Sequence, residues 1–73
     1  MEELYEILNE LVPGADFRNN KRLVDDKVLT SLNLLKLVAK LNEAYDIKIT
    51  AMHLMPENFN SAEAIYALIE KLS

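Results

Sequence analysis

The chain has 73 residues, 51% of them apolar, a formal net charge of −4, one histidine, one glycine and no cysteine. These values describe a single small globular domain, residues 1–73, and exclude a disordered tail, a disulfide framework, a thiolate nucleophile or metal site, and a glycine-rich phosphate loop. No apolar run approaches the roughly 18 residues of a membrane span, no basic-then-apolar leader opens the chain, and the acidic balance disfavours nucleic acid; a cytoplasmic protein with no membrane span is expected.

The first predicted helix covers residues 2–12. Leu4, Ile7, Leu8 and Leu11 recur at three- and four-residue spacing and form one apolar stripe. Glu2 and Glu3 suit the positive end of the helix dipole. Pro13-Gly14 ends the helix. Residues 13–29 form a long connection that Phe17, Leu23, Val24, Val28 and Leu29 anchor across the bundle. Loops of this length are often functional. Arg18, Lys21, Arg22 and Lys27 cluster within it, and without interleaved aromatics they read as a solvated loop.

The second helix is expected from about Ser31 to Ala44, with Thr30 as N-cap accepting from the backbone N–H of Asn33 or Leu32. Leu34, Leu37, Val38, Leu41 and Tyr45 form its core side. Residues 45–49 alternate apolar and polar. With no strand partner elsewhere, they read as an extended segment that drops Ile47 and Ile49 into the core. Residues 50–60 predict a short irregular helix broken near Pro56. Ser61 or Asn60 then caps a last helix over 61–72, the latter forming a capping-box spacing with Glu63. Ala62, Ile65, Leu68, Ile69 and Leu72 are its stripe. The fold class is all-α, a small bundle of three main helices plus one short helix.

The second helix carries a further apolar strip. At about 100° per residue, Leu32, Leu35 and Ala39 point away from the core stripe and share their side with Lys36 and Glu43. Two arrangements fit: burial under the 13–29 loop or the third helix, or exposure as a partner surface. Ser31 starts the same helix. A serine there is commonly only structural, but free N–H groups and the helix dipole favour an anion at that point.

These features resemble the phosphopantetheine-binding family of acyl and peptidyl carrier proteins over essentially the whole chain. Thr30-Ser31-Leu32 stands where the family has Asp-Ser-Leu. Leu34, Leu37, Val38 and Leu41 match its second-helix core. Tyr45-Asp46-Ile47-Lys48-Ile49-Thr50 resembles its Phe-Asp-Ile-x-Ile-Pro segment, and Asn60-Ser61-Ala62-Glu63-Ala64-Ile65 resembles the start of its last helix. Two positions depart: Thr30 replaces the usual Asp, and Lys27 and Val28 occupy the region where a glycine is common.

The resemblance implies an acyl-carrier-protein-like bundle that is not itself an enzyme. It implies that Ser31 receives 4′-phosphopantetheine from coenzyme A through a phosphopantetheinyl transferase. The arm's thiol would hold an acyl or aminoacyl thioester for successive acyl-transferring enzymes. Thr30, Leu32, Leu35, Lys36 and Ala39 become the partner-docking residues, and the protein is expected to be a monomer. Lys36 and Lys40 against Glu43 make the second helix slightly positive, unlike the acidic helix of fatty-acid-synthesis carriers. The segment from Ile49 to Ile65 is similar to that of D-alanyl carrier proteins. An amino acid or specialised acyl cargo, loaded by an adenylating enzyme, is therefore favoured.

The alternative is a helical adaptor without a prosthetic group, binding through Leu32, Leu35 and Met52 or Met55. No metal site is expected: Asp25-Asp26 lacks further oxygen ligands, and His53 reads as a loop residue rather than a catalytic base.

Overall fold

Four helices and one 3-10 turn succeed one another in the computed structural model, which describes all 73 residues. They are α1 (Glu2–Leu11), α2 (Ser31–Tyr45), the 3-10 turn Ala51–His53, α3 (Pro56–Phe59) and α4 (Ala62–Leu72). Helices α1, α2 and α4 are the main elements; α1 packs on both others, and α3 packs on α4.

The apolar stripes meet in one core. Leu4 and Leu8 enter it from α1, Leu37 and Leu41 from α2, and Ala62, Ile65, Leu68 and Ile69 from α4. Phe59 is the bulkiest fully buried side chain and fills the space over which the short α3 sits. The connection contributes Phe17, Leu23 and Leu29, all buried, with Val24 and Val28 half-buried. Each fully buried Leu or Phe is worth roughly 1.5–3 kcal/mol of apolar transfer, which is substantial in a domain this small. No buried polar side-chain atom lacks a partner.

Asn42 stops α2 and sets the chain's exit. Asp46 takes the left-handed conformation at φ 53°, and its N–H donates to the Asn42 carbonyl. The Asn42 side-chain oxygen accepts the N–H of Ile49 at 2.8 Å. These bonds carry 47–49 away from α2 as a segment without regular structure, burying Ile49 and leaving Ile47 half-buried; of the extended segment expected over 45–49, Tyr45 belongs instead to α2 and Asp46 to the left-handed turn that ends it.

The short irregular helix expected over 50–60 is broken just before Pro56, into the 3-10 turn and α3, with the extended Met55 between them. Pro56 starts α3 at its first position, where a missing N–H removes no helical bond. The 3-10 turn is closed by Thr50 and His53: Thr50 Oγ1 accepts from the His53 backbone, and His53 Nδ1 accepts the Thr50 N–H at 3.0 Å. Of the two expected caps for the last helix, Ser61 is the one used, its Oγ accepting the Ala64 N–H at 3.0 Å, and the Asn60–Glu63 capping box does not form. Asn60 sits one residue too early to cap, and its amide faces the long connection.

Candidate functional site at the start of the second helix

The connection reaches α2 as a self-closed loop. The Leu29 N–H donates to Leu23 O at 2.9 Å and the Lys27 N–H to Val24 O at 3.0 Å, which brings the buried Leu23 and Leu29 together. Lys27 closes the turn at φ 61°, a region that costs a non-glycine residue of order 1 kcal/mol. The left-handed residue that glycine would suit is therefore present, and a lysine occupies it.

Asn60 holds this loop to the bundle. Its backbone carbonyl accepts from Leu23 N at 2.8 Å. Its Oδ1 accepts from Val24 N at 2.9 Å and Asp25 N at 3.1 Å, and its Nδ2 donates to Asp25 Oδ2 at 3.3 Å. A Lys21–Glu63 ion pair adds a second tie to α4, and this hydrogen bond to Lys21 holds the Glu63 carboxyl below the ordinary glutamate range. Reading the sequence did not single out this role of Asn60. Its partners lie more than thirty residues upstream, and no local spacing reports them.

Thr30 adopts extended backbone and caps α2, its Oγ1 accepting the Asn33 N–H at 3.3 Å. The capping duty thus falls on Thr30, and the exposed Ser31 hydroxyl makes no hydrogen bond in the chain. The backbone N–H groups of Ser31 and Leu32 also meet no acceptor. A depression of about 290 Å³ opens beside them, lined by Val24, Lys27, Leu29, Thr30, Ser31 and Leu34. Lys27 is its one charged group. A free hydroxyl, two open N–H donors and a nearby ammonium, with no carboxylate in the lining, fit a phosphodiester on Ser31.

The second strip of α2 is open. Leu32 is 62% and Leu35 61% exposed, and Lys36 and Ala39 are exposed beside them. Neither the 13–29 loop nor the later helices cover these leucines, so the buried arrangement is excluded. Leu37 and Leu41 are fully buried on the opposite side, and Leu34 and Val38 are half-buried between. The methionines are not core residues: Met52 is 84% exposed, and Met55 borders a groove with His53, Ala64 and Leu68.

Other sequence candidates settle into local structural roles. Arg18 pairs with Glu2 and lies over the Tyr5 ring at 4.0 Å. Arg22 pairs with Asp26, and Asp25 engages Asn60. No helix is long and apolar enough to cross a membrane. Compared with protein-family models, curated proteins and solved structures, the chain matches none of them.

Proposed function

We propose that the chain is a carrier protein whose Ser31 hydroxyl takes a 4′-phosphopantetheine arm. The observation that carries this reading is the division of labour between Thr30 and Ser31. Thr30 satisfies the helix end, and Ser31 is left exposed and uncommitted next to two exposed leucines. The order of helices, the buried Ile49 after α2 and the left-handed residue before the serine also support it.

In the attachment reaction Ser31 Oγ would bond to the phosphorus of the coenzyme A pyrophosphate that bears the pantetheine. The P–O bond to the adenosine bisphosphate would break, and the hydroxyl proton would pass to a base on the phosphopantetheinyl transferase. The arm would supply a thiol for thioester formation, which the cysteine-free chain lacks. The chain's own contribution is to hold the attachment point rigidly through Asn60 and Thr30 and to offer Leu32, Leu35, Lys36 and Ala39 to partners. Tethering would then raise the local concentration of cargo at the enzyme surface. The slightly positive α2 and the Ile49–Ile65 segment favour an amino acid or specialised acyl group, delivered by an adenylating enzyme.

The test is intact mass after incubation with coenzyme A and a broad-specificity transferase. Wild type gains one phosphopantetheine and Ser31→Ala gains none. A wild-type chain that several transferases leave unmodified overturns the carrier reading. In that case the exposure of Leu32, Leu35 and Met52 favours a helical adaptor that binds without a prosthetic group.

A further inference from the structure

The charge of this protein is distributed unevenly, and the uneven part coincides with the open strip. From Lys27 to Asn42 the sequence carries Lys27, Lys36 and Lys40 and no acidic residue, although the whole chain is at −4. All twelve carboxylates lie outside this stretch. The pairing is uneven too. Arg18, Lys21, Arg22 and Lys40 each have a carboxylate within ion-pair distance, on Glu2, Glu63, Asp26 and Glu10 respectively. Lys27, Lys36, Lys48 and Lys71 have none, and the first two flank the open strip. Lys27 borders the Ser31 depression and Lys36 shares the side of α2 with Leu32 and Leu35. The single carboxylate on that side, Glu43, lies two turns beyond Lys36.

We infer that the strip of α2 docks a protein partner whose contact face is an apolar socket edged by carboxylates. This deepens the carrier reading by giving its partner a charge, and the surface itself does not depend on Ser31 being modified. Leu32 and Leu35 supply the apolar contact, and Lys27 and Lys36 fix orientation at its edges. At physiological salt a charge is felt over about 8 Å, and the acids nearest Lys27, Asp25 and Asp26, are already engaged by Asn60 and Arg22, so the unpaired lysines set the sign at contact. Recruiting Lys27 and Lys36 breaks no internal ion pair.

The probe is a synthetic amphipathic helical peptide with one leucine–phenylalanine face edged by glutamates, titrated into the isotope-labelled protein. A second peptide carries lysines in place of the glutamates. The glutamate-edged peptide is expected to shift the amide signals of residues 27–39, to bind more weakly as salt is raised, and to lose about three- to tenfold in affinity with K36E. L35S is expected to weaken both peptides alike. Equal or tighter binding of the lysine-edged peptide overturns the inference, as does no binding by either. Shifts centred on Met52–Met55 overturn it too, as does tighter binding of the same residues to phosphatidylglycerol vesicles. Binding of the glutamate-edged peptide by a chain that no transferase modifies keeps this inference and removes the carrier. Modification of Ser31 without such binding does the reverse.

Discussion

The starts of α2 and α4 each hold a serine within one residue of the cap, and the two serines end up opposite in character. At α4 the serine is the cap: Ser61 Oγ is used on the Ala64 N–H, and the next residue, Ala62, is fully buried. At α2 a threonine takes the capping position, so the serine falls one place later, exposed and with its hydroxyl unused. The next turns diverge in the same way. Ile65 and Leu68 of α4 enter the core, whereas Leu32 and Leu35 of α2 face outward. One residue of displacement separates a serine that holds a helix together from one that is available for chemistry.

The largest expected effect tests that contrast directly. Ser31→Ala should lose transferase-dependent mass addition completely, and Ser61→Ala should keep it, as read by intact mass. Addition to the Ser31→Ala protein would break the comparison. Next comes the clamp beneath α2. Asn60→Ala strips acceptors from the Val24 and Asp25 N–H groups and should cost about 2 kcal/mol, lowering the melting temperature by roughly 10 °C. It should also slow modification of Ser31, since the loop before it loses its anchor.

The two serines should then differ in stability in the reverse order of their chemistry. Ser61→Ala removes a cap and should cost about 1 kcal/mol by chemical denaturation, whereas Ser31→Ala should stay within about 0.5 kcal/mol. Equal costs would show that Ser31 shares the capping work. The smallest effect concerns acid. Of these two helices, α2 has no carboxylate in its first turn and α4 has Glu63, held below the ordinary glutamate range mainly by its hydrogen bond from Lys21. The unfolded chain binds that proton more readily, so the contribution is complete above the ordinary glutamate range. It is lost as pH falls through the lowered value. Thermal melts between neutral pH and pH 3 should show a shallower acid decline in Glu63→Gln than in wild type.

The parts of the molecule that could be read from sequence are those governed by near neighbours. The spacing of Leu4 and Leu8, of Leu37 and Leu41, and of Ile65, Leu68 and Ile69 marked three helices whose bounds fall within a residue or so of those observed. Thr30 as cap and Ile49 as a buried residue followed from the same local rules. Leu32 and Leu35 could be assigned to a face but not to solvent, because covering them would have been the work of distant segments. The Asn60 clamp was hidden for the same reason. An asparagine before a helix reads as a cap, and only the return of Val24 and Asp25 in space gives its amide other partners. The left-handed Lys27 was similarly silent, since lysine carries no local preference for that conformation.

The Asn60 clamp also puts the molecule on a schedule. Ser31 and both outward leucines are synthesised before the residue that locks the approach to them, Asn60. A fragment ending before Asn60 contains Ser31, Leu32 and Leu35 and none of the four bonds that Asn60 makes to the loop. The loop that leads into α2 therefore takes its tied-down shape only after Asn60 has been made.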